Sequence, residues 1–473
     1  MPLLSPRDGR AGVRVTRYLT TLAALAVAVL GLLAPATAAA AAPSPSPSAF
    51  LPVSPVSPSV SGRLPDPKEA GERALRQAMR LGDNSYYDAD KVPEHGLTAQ
   101  GRLATLAAFP TEPPQPGTGE CMRKPEALRL EGWTHNRLLW CQNVGYRARY
   151  GLYDRNGVWT YKGSNQLLFE MVAVGSNTQR AVRVYWRPVA GSVEYKDWSL
   201  TDTPSLLQLG VRAECVQQST GACSTDQGKV TRAWGAWNTT TEWSYWDVQG
   251  PARANDSSRE KVSAFDWYLI TDGTSPGYPL KETPGHTLAQ PFRCDSADYF
   301  SRFGQPFDRA CVFTAVVPHL QYNLSSKKHG AVARHIYDAQ LSPDTSYPIE
   351  NHRKVFPGWW GNPPAHEPLH RVEGSGTIAT SNELWKNHAC NRTGPYATTG
   401  LPPRTPQQAA EGWECDEYPF HATAEGASSG TWDFSVRWVP KTQNASAGGS
   451  LISYFFDDRI LFVNDPFWVK INP

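Results

Sequence analysis

The chain lacks several things, and each lack narrows what it can be. None of its 8 cysteines forms a Cys-x-x-Cys pair, which argues against a zinc ribbon. Only one long apolar run occurs, at the start of the chain, and no later segment is apolar enough to span a bilayer. The formal net charge is only +2 over 473 residues, so no bulk excess of basic residues marks a tight polyanion binder. No internal repeat emerges, which excludes a solenoid.

The one apolar run has the layout of an export signal. Arg7, Arg10, Arg14 and Arg17 precede it, Tyr18 to Ala34 carries no charge, and Pro35 breaks it before small residues that continue to Ala42. A positive stretch, a short apolar core and a small-residue tail form a secretory signal peptide with a cleavage site. Residues 1–42 are therefore expected to be removed, leaving a secreted chain with no stable membrane association.

The cysteines fit that compartment. Cys121, Cys141, Cys215, Cys223, Cys294, Cys311, Cys390 and Cys415 are even in number, and disulfides persist in oxidising surroundings. Joining sequence neighbours is the most economical of the 105 pairings that eight cysteines allow. It predicts 121 with 141, 215 with 223, 294 with 311 and 390 with 415. Each bridge would close a short loop and contribute on the order of 3 kcal/mol in the chain-entropy account.

Residues 43–118 read as a Pro- and Ser-rich linker with one short helix at 67–82, which starts near Pro67 and ends at Gly82. From 119 to 322 the texture becomes β-branched and aromatic. Gln166–Gly175, Ala181–Gly191 and Val262–Gly273 are examples, with turn residues between them. Short strands at this spacing predict an all-β, sandwich-like domain holding three of the four bridges. Its tryptophans are read as core packing, with an aromatic platform for sugars or bases as the alternative. No catalytic constellation stands in this part. Oligomeric state is not legible.

From 325 the pattern changes again. Val332, His335, Ile336 and Ala339 fall on one face of a helix, and His335 is read there as a packing residue. Near the end comes Cys415-Asp416-Glu417-Tyr418-Pro419-Phe420, with His421, Glu425 and Asn444 following. Hydrolysis of a phosphodiester needs an activated water and positive charge where negative charge develops. Hard oxygen ligands can hold a divalent cation, and a carboxylate can take a proton. In a strand, Asp416 and Glu417 would point to opposite faces. That disfavours glycan hydrolysis, which needs two carboxyls facing each other across a bond.

The cluster also resembles a known pattern. Cys415 to Phe420, followed by Thr423, Glu425 and Gly426, is similar to the core motif of the NucA/NucB family of secreted bacterial deoxyribonucleases. Asn444-Ala445-Ser446-Ala447-Gly448 resembles that family's asparagine–glycine turn. Ala333 to Ala339 resembles its early helix, and Asp458-Arg459-Ile460-Leu461 with Phe467-Trp468-Val469 its terminal hairpin. The resemblance runs in order over residues 325–473 and leaves the preceding 320 uncovered. It implies a small α+β domain similar to the ββα-metal nucleases, a divalent cation such as Mg²⁺ or Mn²⁺, and DNA as substrate. It further implies Asp416 as the water-activating base, Glu417 as the residue that orders the site or binds the cation, Glu425 as a further candidate metal ligand, and Asn444 as a metal or phosphate ligand or the residue that fixes the turn carrying one. Arg459 is a candidate phosphate ligand through its forked guanidinium, with a structural ion pair as the alternative.

Two observations pull the other way. From residue 325 onward 13 Lys and Arg face 15 Asp and Glu, about −2, so no basic surface is evident in bulk. His421 stands where relatives carry a small residue and is read as a bystander. The expectation is a multidomain secreted endodeoxyribonuclease: a disulfide-bonded β domain at 119–322 and a nuclease domain at 325–473. A secreted polymer-binding protein with an inactive nuclease-like domain is the alternative.

Overall fold

A computed structural model describes residues 50–51, 67–81, 87–91, 109–114, 119, 121–217, 222–274, 285–302, 305–361, 367–462 and 465–473. The expected signal peptide at 1–42 and most of the expected linker lie outside the described residues. Ser46–Pro473 forms one compact unit. Among the described residues no helix is long and apolar enough to cross a membrane.

The middle of the chain builds two antiparallel sheets. In the first, Leu139–Tyr153 and Trp159–Gly175 form a long hairpin, flanked by Trp133–Asn136 on one side and by Ala181–Pro188, Ser244–Gln249 and Ser224–Thr225 on the other. In the second, Ser263–Thr274 lies between Gln208–Gln217 and Gln290–Asp295, with Ala310–Phe313 and Val230–Ala233 outside them. Alternate residues of both sheets meet in one core. Val144, Tyr146, Phe169, Val184 and Trp186 come from the first, and Leu209, Val211, Phe265, Trp267 and Phe313 from the second.

Ala181–Pro188 is apolar almost throughout because both its faces are covered. Val182, Val184 and Trp186 enter the shared core, while Tyr185 packs on the far side with Trp133, Leu139 and Val172. Trp140, Trp186, Trp234, Trp237, Trp246 and Trp267 are fully buried. Each such ring removes roughly 200 Å² from water, worth several kcal/mol. These six belong to the core and form no ligand platform.

Three expected bridges are present: Cys215–Cys223, Cys294–Cys311 and Cys390–Cys415. Cys141 is also disulfide-bonded, and the side chain of Cys121 lies outside the described residues.

The C-terminal part centres on a four-stranded sheet in the order Tyr87–Asp88, His319–Asn323, Pro466–Asn472, Leu369–His370. The first two pairings are parallel and the third antiparallel. A separate strand pair, Glu414–Tyr418 with Ser435–Val439, leads directly into the helix Lys441–Asp457. Helices Gly330–Leu341 and Thr377–Asn391 complete this part. Its core gathers Leu320, Val332, Ile336, Tyr418, Val439, Leu451, Tyr454, Phe467 and Val469.

The structure departs from the sequence reading at four places here. His319–Asn323, expected to close the β domain, is a central strand of the C-terminal sheet. Tyr87–Asp88, expected to be unpacked, forms its edge, and the Tyr87 hydroxyl donates to Asp457 at 3.1 Å. Asn444 to Gly448 is not a turn but the first half of a 17-residue helix. The helix forms because Ala447, Leu451, Tyr454 and Phe455 recur at helical spacing and are buried. Gly448 and Gly449 are tolerated within it, where an added Cβ would meet nothing within 4 Å. The expected terminal hairpin is absent as well. That helix runs through Asp457, and among the described residues after it only Pro466–Asn472 is a strand.

A buried ion network joins the two parts. Arg459 Nη2 donates to Asp295 Oδ1 at 2.6 Å, and Asp295 lies in the strand Gln290–Asp295 of the second sheet. Arg293 Nη1 contacts the same carboxylate at 3.1 Å, and its Nη2 donates to Asp465 and to the Arg459 carbonyl. Arg137 reaches Asp465 at 3.2 Å. Asp295 is fully buried and Arg459 is only 3% exposed.

Candidate active site

The strand Glu414–Tyr418 hydrogen-bonds to Ser435–Val439 on one side, with Asp416 opposite Arg437 and Glu417 opposite Val436. Beside it runs a cleft of about 460 Å³. Glu414, Asp416, Glu417, His421 and Asn444 line this cleft, together with Glu383 and Lys386 from the helix Thr377–Asn391. Strand alternation sorts the carboxylates. Asp416 turns to the helix Gly330–Leu341, and Cys415 and Glu417 turn to the helix Thr377–Asn391, where Cys415 is bonded to Cys390.

Asp416 is held by a buried histidine. His335 Nδ1 lies 2.7 Å from Asp416 Oδ2, and its Nε2 lies 2.8 Å from Ser435 Oγ. Both nitrogens are satisfied when Nδ1–H donates to the carboxylate and the serine hydroxyl donates to Nε2. Arg437, opposite Asp416, is turned away by its own pair with Asp338 at 2.8 Å. Burial raises the pKa of Tyr322, and the nearby charge of Asp416 adds to it.

Glu417 is buried and half-satisfied. Its Oε1 accepts from the His421 backbone N–H at 3.0 Å and lies 3.4 Å from His421 Nδ1. Its Oε2 is buried without a hydrogen-bond partner. Burial raises its pKa, against the pull of His421 and Lys386. The Glu417 hydrogen bond in turn raises the pKa of His421. A buried carboxylate oxygen with no donor is costly unless something binds it.

Asn444 sits on the helix Lys441–Asp457, and its Nδ2 is 3.5 Å from Glu414 Oε2. Glu414 also pairs with Lys441 at 3.1 Å. Among the described residues no three His, Cys, Asp or Glu side chains are grouped tightly enough to hold a metal by themselves. The cleft nevertheless offers hard oxygen donors, one of them unpartnered. A Mg²⁺-type ion needs only one or two carboxylates when water and phosphate oxygens complete its shell. The residues present fit such a cation.

Two residues singled out in the sequence are not brought to the cleft. Both oxygens of Glu425 are taken by His370, one by the backbone N–H at 2.8 Å and one by Nδ1 at 2.8 Å, so Glu425 is a buried brace rather than a ligand. Arg459 is locked against Asp295 and lies over the Phe300 ring at 3.9 Å, so it cannot bind phosphate. The ion pair read as its alternative does form, but to a carboxylate 164 residues away in sequence. Conversely, the sequence reading passed over His335, Ser435, Glu414 and Lys386. A signal for His335 was available: a histidine on a buried helix face must find partners for two ring nitrogens.

His421, read as a bystander, lines the cleft beside Glu417. Asn382 fixes the loop that carries it, donating to the carbonyls of His421 at 2.8 Å and Thr423 at 2.9 Å and accepting from the Ser428 hydroxyl at 2.6 Å. No curated protein and no solved structure matches the chain. One family does: residues 371–470, which carry Lys386, Asp416, Glu417, His421 and Asn444, match the deoxyribonuclease NucA/NucB family.

Proposed function

We propose that this chain is a secreted, cation-assisted endonuclease that hydrolyses phosphodiester bonds of extracellular DNA at the Asp416 cleft. The observation that carries the reading is the asymmetric treatment of two adjacent carboxylates. Asp416 is oriented by a buried histidine at the cleft, and Glu417 is buried there with one oxygen unpartnered.

Their roles follow from these surroundings. His335 occupies Oδ2 of Asp416, so the other oxygen is left to accept a proton from the attacking water. The imidazole fixes the rotamer of that base and supports its charge, much as an orienting partner does in other acid–base pairs. Glu417, with Asn444 across the cleft, would hold the divalent cation. When bound, that cation supplies positive charge to the phosphoryl oxygens as the transition state develops. The Cys390–Cys415 bridge fixes the strand one residue before Asp416, so the base cannot drift from its place.

Secretion is supported by the Arg-flanked apolar run at 18–34 and by the disulfides, which require an oxidising compartment. The test uses covalently closed plasmid, in which only an internal cut can relax the circle. Purified mature chain should nick it in Mg²⁺ or Mn²⁺ and stop when a chelator is added. Intact circles under every divalent cation would overturn the reading.

A further inference from the structure

The cleft poses an electrostatic problem that the proposed reading does not solve. Four carboxylates line it: Glu383, Glu414, Asp416 and Glu417. A DNA strand is itself a polyanion, and its binding is carried by contacts from cations to phosphates. Among the described residues only two Lys or Arg side chains line the cleft, Arg371 and Lys386.

Arg371 is already committed. Its Nη1 donates to the Ile460 carbonyl at 2.7 Å, and its guanidinium packs over Phe455 at 4.9 Å and Phe462 at 4.5 Å. Burial lowers its pKa to about 10. Arg459, the other candidate cation, is sealed against Asp295. Lys386 is different. It lies one turn before Cys390 on the helix that the disulfide ties to the acidic strand. Its Nζ is held by both oxygens of Glu383 at 2.8 Å, and its charge is felt by both Glu417 and His421. The side chain is 15% exposed and that of Glu383 is 49% exposed. The lysine stem is therefore covered while its counter-ion stands in solvent.

We infer that Lys386 is the residue that receives a backbone phosphate of the DNA, and that Glu383 is the counter-ion it gives up to do so. The inference rests on the proposed nuclease reading and names its phosphate contact. Without substrate, Glu383 neutralises the ammonium and keeps it aimed along the cleft wall. With substrate, a phosphate oxygen takes the place of the Glu383 carboxylate. Lysine suits this exchange, because its ammonium is a compact point charge that re-aims without the planar fork of arginine.

A structural salt bridge and a phosphate contact make opposite predictions. The probe is a fluorescent DNA duplex, with binding followed by anisotropy in Ca²⁺ across a salt series, in Asp416→Asn protein to prevent cutting. Lys386→Gln should weaken binding about tenfold at low salt and make the log K against log salt slope less steep by about one. Glu383→Gln should tighten binding, and that gain should vanish in the Glu383→Gln, Lys386→Gln double variant. Lys386→Arg should restore most of the affinity. An unchanged salt slope in Lys386→Gln, or a Glu383→Gln gain that survives the loss of Lys386, would overturn the inference. Neither result would touch the nuclease reading, which stands or falls on cutting by protein with Asp416 intact.

Discussion

The joint around Asp295 and the cleft around Asp416 are built from the same residue types, acids and bases withdrawn from water. In the joint, Arg459 and Arg293 both close on Asp295, and Arg293 and Arg137 both reach Asp465. The charges there are met by charges of opposite sign. In the cleft, Asp416 is met on one side by His335, while one oxygen of Glu417 has no hydrogen-bond partner among the described residues. A network of opposed buried charges holds parts together, because breaking it strands a buried charge. An unsaturated one is costly alone and is stabilised by what it binds. The same chemistry thus serves structure in one place and, on the proposed reading, recognition in the other.

That contrast can be broken from the side of the joint. The largest effect is expected from residues 325–473 expressed alone. They lack the strand His319–Asn323 at the middle of their sheet and the Asp295 partner of Arg459. They should give no cooperative unfolding transition by circular dichroism and no nicking. A folded, active fragment would show that the joint is dispensable. Next, Asp295→Ala in the full chain should cost about 3–5 kcal/mol, since it leaves the buried guanidinium of Arg459 without a carboxylate and takes one of two from Arg293. Denaturant unfolding should show that loss, with nicking per folded molecule unchanged at low temperature.

From the side of the cleft, His335→Ala should lower kcat about 10- to 100-fold with little change in KM, because it frees the base without touching substrate. A change confined to KM would mean that His335 only shapes binding. The smallest effect concerns stability. Burial raises the pKa of Glu417, so folding favours its protonated form. That contribution is fully present below the unfolded pKa and is lost as pH rises through the raised folded value. Glu417→Gln, in chelator, should therefore melt at a higher temperature than wild type near neutral pH, and at the same temperature near pH 3. The same variant should lose nicking. Equal melting at neutral pH would mean that the orphan oxygen carries no cost.

How far the sequence could be read follows from what kind of signal each feature leaves. Strand texture between 119 and 322, the helix at Pro67–Leu81 and the 390–415 bridge are local or compositional, and they were legible. Asp416 and Glu417 were legible because six adjacent residues carry them. Asn444 to Gly448 reads as a turn on its resemblance to a family motif, whereas the spacing of Ala447, Leu451 and Phe455 buries one face of the helix Lys441–Asp457. The partners of Arg459 and Asp416 were not legible. Asp295 is 164 residues from one and His335 is 81 residues from the other, and only tertiary packing brings them together. The place of His319–Asn323 was not legible for the same reason: it pairs with Pro466–Asn472, almost 150 residues later.

The most direct test of the account compares two single substitutions that remove one negative charge each. Asp416→Asn and Asp295→Asn should be measured side by side for plasmid nicking in Mg²⁺ or Mn²⁺ and for thermal unfolding. The account predicts that Asp416→Asn abolishes nicking while its melting temperature stays within a few degrees of wild type, and that Asp295→Asn lowers the melting temperature sharply while its folded fraction still cuts. Nicking retained at the wild-type rate by Asp416→Asn would contradict it.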